Sequence, residues 1–234
     1  MRAILLAGGM GVRLRPLTYT IPKPLLPVGE KPILEEIIAR LKPFDFEEYI
    51  ITVGYRAELI ETYFRDGAQL GVKIDYVHER QPLGTAGALS LVRAMRDLPA
   101  DEPLFVMNGD VLTDLDVHAF VASHRRGGHA MTIATMEYEL RHPYGVLHVE
   151  DGRVTGIAEK PAVVDTVSTG MYALQPDTLA LIPEETYFDM PDLVNALLAN
   201  GRSVGAWAFP GEWLAIQRIE QLEEAGRMIA ERRA

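Results

Sequence analysis

The residues best suited to chemistry lie in the segment AGGMGVRLRPLTYTIPKP, which follows the first apolar run of the chain. Gly8, Gly9 and Gly11 leave backbone N–H groups uncovered by side chains, and such groups can converge on phosphate oxygens. Arg13 adds a guanidinium group, and Lys23 stands between two prolines that restrict its backbone and so direct its ammonium group. Amides and two cations on one loop suit a triphosphate that is attacked at its α-phosphorus.

The loop matches neither of two familiar phosphate-binding motifs. It has no Gly-Lys-Ser/Thr ending, so it is not a P-loop, and Leu14 stands where a dinucleotide fingerprint has its third glycine. Pro16, Pro22, Pro24 and Pro27 exclude a regular helix across the segment, so we expect an ordered loop. The glycines alone leave a tight turn without a ligand as an open alternative.

Composition excludes several classes of protein. The 234 residues suffice for one domain with a proper core. With 23 basic and 33 acidic side chains the net charge is −10, which disfavours binding to nucleic acid or an anionic membrane. Absence of cysteine rules out disulfides, thiolate nucleophiles and cysteine-ligated zinc. No apolar run reaches the roughly 18 residues of a membrane span, and we expect a soluble cytoplasmic protein.

Strand and helix patterns alternate through the first half of the chain. Short apolar runs closed by glycine predict buried strands, and 3.6-residue spacing predicts helices between them. The strands are expected at 2–7, 49–54 and 103–109, and the helices from Pro32, around 59–64 and from a cap at Thr85. The inner face of the third helix should include Leu89, Val92 and Met95. This alternation favours a mostly parallel sheet with helices on both faces.

The second half is richer in strand patterns, and Asp151-Gly152 is a hairpin-turn pair. Strand patterns lie at 130–138, 144–161, 169–176 and 203–208, and helical patterns at 189–200 and 219–229. We therefore predict an α/β fold: a single Rossmann-like domain over residues 1–234 with a mixed, mostly parallel central sheet. Ligands of such sheets bind beyond the carboxyl ends of the strands.

Several motifs carry a resemblance to a known family. The stretch LAGGMGVRLRPLTYTIPKPLLPVGEKPIL resembles the signature of the sugar-1-phosphate nucleotidyltransferases, or NDP-sugar pyrophosphorylases. It continues in family order through PLGTAGAL, NGD, YGV, EKP and GMY, and the PLGTAGA form is most similar to mannose-1-phosphate and heptose-1-phosphate guanylyltransferases. The resemblance implies the nucleotide-diphospho-sugar transferase fold and a reaction of an NTP with a sugar 1-phosphate that yields an NDP-sugar and pyrophosphate, with Mg²⁺ as cofactor.

The resemblance also assigns roles to individual residues. Arg13 would hold the leaving pyrophosphate, Lys23 the α-phosphate and the incoming sugar phosphate, and Asp110 the Mg²⁺, because a hard cation prefers carboxylate oxygens. The residues implied to contact the nucleotide are Leu6, Ala7, Gly8, Gly9, Gly11, Glu79, Gly84 and Thr85. Those implied to contact the sugar 1-phosphate are Gly145, Glu159, Lys160 and Thr169.

Glu79 occupies the position that meets the nucleobase edge in this family. A carboxylate only accepts hydrogen bonds, and guanine offers adjacent N1–H and N2–H₂ donors. Uracil and thymine present an acceptor beside their N3–H, which suits an amide better. We therefore expect a preference for GTP, with a mannose-type or heptose-type sugar.

The chain departs from the family near its end. The pattern Trp-x-Asp-x-Gly reads WLAIQ here, so Ala215 replaces the usual second metal carboxylate and Gln217 replaces glycine. One reading is an enzyme with a reduced metal site that relies on Asp110. The alternative is a catalytically weakened paralogue that binds a nucleotide or sugar nucleotide as a regulatory subunit.

The remaining features favour no other class. A plain interaction protein stays the default for any globular chain and would not be stabilised by nucleotide. His118 and His124 lack the spacing of a metal hydrolase, and we expect both at the surface. A homo-oligomer stays open, and a β-helical acyltransferase domain of the kind that some relatives append is not expected.

Overall fold

A computed structural model describes residues 1–95 and 97–233. The strands are β1 (Arg2–Leu6), β2 (Pro27–Val28), β3 (Lys31–Pro32), β4 (Glu48–Val53), β5 (Ile74–His78), β6 (Leu104–Asn108), β7 (Val111–Thr113), β8 (Met131–Arg141), β9 (Val146–Glu150), β10 (Arg153–Ala158), β11 (Ala162–Leu174), β12 (Val204–Ala208) and β13 (Trp213–Ala215). The α-helices are α1 (Ile33–Leu41), α2 (Ala57–Phe64), α3 (Gly84–Met95), α4 (Val117–Gly127), α5 (Met190–Ala199) and α6 (Ile219–Arg233).

The central sheet has seven strands in the order β12-β8-β11-β6-β1-β4-β5. Within the described chain, β11 is the one strand of this sheet that runs against the others. From β1 the chain moves to β4 and β5 on one side and then returns to β6 on the other. The carboxyl ends of β1 and β6 therefore flank the point where strand order reverses, which is where open α/β sheets bind ligands. The predicted mixed, mostly parallel sheet is confirmed.

Two hydrophobic clusters cover the two faces of the sheet. One receives α1, α2, α4 and α6, and includes Leu34, Phe64 and Phe120. The other receives α3 and α5, and includes Leu89 and Leu193. Each helix contributes the apolar side that its 3.6-residue spacing predicts, so the helices hold the sheet, and with it the loops at the strand ends, in fixed positions.

The starts of two helices differ from the sequence predictions. Pro32 is the residue before α1 rather than its first residue, a difference within the usual uncertainty of helix ends. Thr85 does not cap α3, which already begins at Gly84. The inner face of α3 includes Leu89 and Val92, but Met95 is 55% exposed because the last turn extends past the core.

Strands β8 and β11 continue past the end of β6 as a two-stranded ribbon. The in-register pairs run from Ser168 with Thr135 to Ala162 with Arg141, so β11 begins earlier than the predicted 169. A second hairpin, β9 and β10, follows, and its turn is the predicted Asp151-Gly152 pair with φ of 48° and 76°.

One face of the second hairpin is apolar and exposed. Leu147 pairs with Ile157 and Val149 with Val154, and side chains of paired and alternate residues share a face. All four side chains are more than half exposed. The β9–β10 hairpin therefore has an uncovered aliphatic face.

His124 lies in the core, so its predicted surface position is wrong. It is 0% exposed, and its Nδ1 lies 2.8 Å from the Thr132 hydroxyl, while Gln175 Nε2 lies 3.2 Å from its Nε2. Burial lowers the pKa of His124 from 6.5 to about 4, with smaller contributions from His129 and Arg125. The ring is a neutral, hydrogen-bonded part of the core.

Among the described residues, no helix is both long and apolar enough to cross a membrane.

Candidate active site

A cavity of about 460 Å³ opens at the carboxyl ends of β1 and β6. Its walls come from the glycine-rich loop, the loop after β5, the start of α3, the loop after β6, and the segments before α5 and α6. The lining residues are Leu6, Ala7, Gly8, Gly9, Gly11, Val12, Arg13, Leu14, Lys23, Pro24, Thr52, Glu79, Pro82, Gly84, Thr85, Asn108, Gly109, Asp110, Tyr187, Asp189 and Gln217. The structure thus gathers the predicted catalytic and nucleotide-contacting residues around one space.

The glycine-rich loop lines this cavity with Gly8, Gly9 and Gly11. Within the described part of the chain, none of the four N–H groups of residues 8–11 donates to a carbonyl or a side chain. The loop is held instead through its carbonyls: Thr18 Oγ1 donates to Gly11 O at 2.9 Å, and Tyr55 N donates to Gly8 O at 3.2 Å. Gly11 has φ of 60°, a conformation that glycine adopts without strain. Uncovered amides in a fixed loop can receive phosphate oxygens.

The cationic end of the cavity contains Arg13, Lys23 and Asp110. A short 3₁₀ turn, Lys23–Leu25, follows Pro22 and places the lysine, whose ammonium group forms an ion pair with Asp110 Oδ2. Arg13 lies in the 3₁₀ turn Val12–Leu14, and its guanidinium group donates a hydrogen bond to Gln217 Oε1. Both cations therefore line the same cavity, and Lys23 contacts the carboxylate of Asp110.

Glu79 lies at the other end, directly after β5. Its side chain packs against Gly8, where an added Cβ would come within 2.0 Å of Oε1. Burial raises the pKa of Glu79, and the Leu83 amide, which donates to Oε2 at 3.2 Å, offsets part of that rise. A side chain at position 8 would therefore displace the Glu79 carboxylate, and the acceptor expected to meet the nucleobase lines the cavity.

The start of α3 is capped by Asp189, which was not among the site residues predicted from the sequence. Asp189 Oδ1 accepts hydrogen bonds from the Thr85 amide at 2.9 Å and the Thr85 hydroxyl at 3.1 Å. Burial alone would raise the pKa of Asp189, but hydrogen bonds from Thr85 and Tyr187 outweigh it and hold that pKa below its usual value. The sequence did contain a signal, because an Asp before Met-Pro is typical of a helix N-cap. Asp189 is the N-cap of α5 and also caps α3.

The residues assigned to the sugar 1-phosphate do not line this cavity. Gly145, Glu159 and Lys160 flank the β9–β10 hairpin and are exposed. Gly145 and Glu159 are neighbours, because a Cβ on Gly145 would lie 3.1 Å from Glu159 Oε2. Thr169 is buried, and its hydroxyl donates to the Ala134 carbonyl at 2.7 Å, so that side chain is already engaged within the protein.

At the cationic end of the cavity, Asp110 is the carboxylate that the described residues offer to a divalent cation. Ala215 pairs with Val111 in register and Ile216 N donates to Asp110 O at 2.9 Å, so the segment that lacks the second carboxylate lies directly beside Asp110. Among the described residues no cluster of three or more His, Cys, Asp or Glu side chains could hold a metal. Mg²⁺ is commonly held by one or two carboxylates, waters and substrate phosphates, so Asp110 fits a minimal Mg²⁺ site.

Comparison with protein families gives a match over residues 2–232 to the nucleotidyl transferase family. The chain belongs to this family. It is 35% identical to a UTP–glucose-1-phosphate uridylyltransferase of Synechocystis, an alignment that covers 99% of the chain and 64% of that protein. It is 40% identical to the catalytic subunit beta of mannose-1-phosphate guanylyltransferase of Danio rerio, over 78% of the chain and 52% of that protein. The chain thus spans about half to two thirds of the length of these relatives.

The fold also matches solved structures. HddC from Yersinia pseudotuberculosis superposes with a TM-score of 0.76 at 24% identity, covering 97% of this chain and 99% of HddC. At that identity the likeness shows the fold alone, which agrees with the seven-stranded sheet. The resemblance inferred from the sequence motifs is confirmed by the family match and by relatives named as sugar-1-phosphate nucleotidyltransferases.

Proposed function

We propose that this chain transfers a nucleoside monophosphate from an NTP to a sugar 1-phosphate, releasing pyrophosphate. The observation that carries the proposal is the shared cavity of Arg13, Lys23 and Asp110, next to a loop with four free amides. A phosphoryl-transfer site needs donors and cations preorganised around the phosphates and little else. The family match supports the reaction class.

Each group of the site has a separate role in the proposed reaction. The amides of residues 8–11 receive phosphate oxygens, and Arg13 neutralises charge on the leaving pyrophosphate. Lys23 stabilises charge at the α-phosphorus and orients the incoming sugar phosphate toward it, after its ammonium group leaves Asp110. Asp110 would hold Mg²⁺, which when bound supplies further neutralisation of the phosphate charge. Glu159 and Lys160, which follow β10, would contact the sugar 1-phosphate.

GTP is the proposed nucleotide because Glu79 offers only acceptor atoms to the base edge. The relatives do not decide the base, since the two described above are named for uridylyl and guanylyl transfer. A mannose-type or heptose-type sugar is proposed from the PLGTAGA form of the motif. Assays of pyrophosphate release with GTP, UTP, ATP, CTP and dTTP test this choice, and a strong preference for UTP or dTTP refutes the Glu79 argument.

A second function is favoured by one observation, the Ala215 in place of the expected carboxylate. On that reading the chain binds a nucleotide or sugar nucleotide as a regulatory subunit. The two functions are separated by measuring pyrophosphate release by the wild type and by Ala215→Asp across Mg²⁺ concentrations. The enzyme is supported if the wild type turns over and Ala215→Asp reaches the same rate at a lower Mg²⁺ concentration. Binding of GTP or GDP-mannose by the wild type without turnover by either protein supports the regulatory subunit.

A further inference from the structure

Asn108 has a carboxamide that makes no hydrogen bond although it lies in the wall of the cavity. Its Oδ1 is buried and without a partner, and no described residue bonds with its Nδ2. The amide packs against Gly170, where an added Cβ would come within 2.4 Å of Nδ2. Buried polar groups normally have hydrogen-bond partners, because leaving a buried polar group unpaired is costly. An unpaired amide in the wall of a ligand cavity indicates that the ligand supplies the partner.

The register of the sheet shows which part of a nucleotide would meet this amide. Leu6 of β1 pairs with Asn108 of β6 on one side and with Thr52 of β4 on the other. Partners in register point to the same face, so the three side chains form a row beneath the cavity on the side of α3 and α5. Asn108 and Thr52 are two strand spacings apart, or about 10 Å.

The two ends of this row have different chemistry. Glu79 follows β5, beyond Thr52, and is the expected contact of the base. Asp110 follows β6, two residues beyond Asn108, and with Lys23 forms the phosphate end. A nucleotide that runs from Glu79 to Asp110 therefore crosses Asn108 with the part that joins base to phosphates, which is the ribose.

We infer that Asn108 binds a ribose hydroxyl, at the 2′ or the 3′ position, and so selects against nucleoside triphosphates that lack this hydroxyl. A hydroxyl both donates and accepts, which matches a carboxamide that offers an acceptor and a donor and can turn either toward the ligand. A neutral amide suits a hydroxyl better than a phosphate, whose charge is matched by Arg13 and Lys23. The inference rests on the proposed function, because it takes the cavity to hold an NTP.

The expected discrimination follows from the unpaired group. A site built to hydrogen-bond a hydroxyl rejects the analogue that lacks it, because its polar group stays unpaired. We expect 2′-deoxy-GTP or 3′-deoxy-GTP to bind about 10-fold to 100-fold more weakly than GTP. Leucine has a volume similar to that of asparagine and no polar side-chain atoms. In Asn108→Leu, GTP should therefore bind as weakly as the deoxy analogue, and the ratio of their affinities should fall to about 1.

The experiment is isothermal titration of the whole chain with GTP, 2′-deoxy-GTP and 3′-deoxy-GTP. Thr52→Val is the matched control: it removes the other buried, unpaired polar atom of the row, but at the base end, so it should change affinity for all three nucleotides alike and keep their ratio. Melting temperatures establish that the variants fold. Equal affinity of the wild type for all three nucleotides, or a ratio that survives in Asn108→Leu, overturns the inference while GTP binding and turnover leave the proposed function standing. Failure of every nucleotide to bind overturns both.

Discussion

Lys23 and Asp110 form an ion pair across the cavity although 87 residues separate them in the sequence. The lysine comes from the loop after β1 and the carboxylate from the turn after β6, so the pair joins the two sides of the point where strand order reverses. Both side chains are mostly buried, with 16% and 20% of their surface exposed. The ion pair stabilises both charges while the cavity is empty. A phosphate can then bind the Lys23 ammonium group, and a cation can bind the Asp110 carboxylate.

Replacing Lys23 should impair turnover more than folding. Lys23→Met keeps the length of the side chain and removes its charge, and we expect kcat to fall about 100-fold or more, the loss typical when a preorganised electrostatic contact is removed. Lys31→Met is the control, because Lys31 pairs with Glu35 at the surface. Steady-state kinetics of pyrophosphate release compare the two. Wild-type kcat in Lys23→Met would contradict the role of the lysine.

Glu79 should make GTP binding depend on pH. Burial raises the pKa of Glu79, and only the ionised carboxylate offers both oxygens to guanine donors. GTP affinity should therefore be full above that raised pKa and should fall as the pH is lowered through it. Glu79→Gln should lose both the pH dependence and the preference for GTP over UTP. Titrations of GTP and UTP between pH 5 and 8 measure this, and an unchanged profile in Glu79→Gln counts against the base contact.

Gly8 and Gly9 provide a matched pair of substitutions. A Cβ at Gly8 meets the Glu79 carboxyl group, whereas a Cβ at Gly9 has nothing within 4 Å. Gly8→Ala should displace the Glu79 carboxylate and lower the ratio of GTP to UTP affinity, and Gly9→Ala should keep that ratio. Competition binding with the two nucleotides reports it. The same ratio in both variants would show that Gly8 does not govern the carboxylate.

Gln217 should act through Arg13. The guanidinium group donates to Gln217 Oε1, so the amide holds Arg13 at the phosphate end of the cavity. Gln217→Ala should raise the KM for NTP, and the effects of Gln217→Ala and Arg13→Ala should not add in the double variant. The coupling energy should be about 0.5–1.5 kcal/mol, the net value of one hydrogen bond. Additive effects would show that the contact does not position Arg13.

His124 should weaken the fold in mild acid. Its pKa is about 4 in the folded chain and 6.5 as a free group, so between these values the unfolded chain binds more protons. The free energy of unfolding should therefore fall as the pH drops through that window, by about 2 kcal/mol between pH 7 and 5. Urea unfolding of the wild type, His124→Gln and the exposed control His142→Gln measures this. An equal loss in all three would assign the effect to other groups.

Local patterns in the sequence were sufficient where a feature depends on neighbouring residues. Strands β1 and β6 follow from short continuous apolar runs closed by glycine, and the Asp151-Gly152 turn follows from its need for positive φ. Features that depend on distant partners were missed. Asp189 caps α3 from 104 residues away, and His124 is buried by strands that follow its helix. The free amides of the glycine-rich loop, in contrast, agree with what its prolines and glycines suggest.

The most direct test of the account follows the phosphorus atoms. The chain is incubated with mannose 1-phosphate and Mg²⁺, once with GTP labelled at the α-phosphorus and once with GTP labelled at the γ-phosphorus. We expect the α-label to appear in a sugar nucleotide and the γ-label in pyrophosphate, and we expect Arg13→Ala and Lys23→Met to lose both products. Transfer of γ-label to the sugar, or equal product formation by these variants, would contradict it.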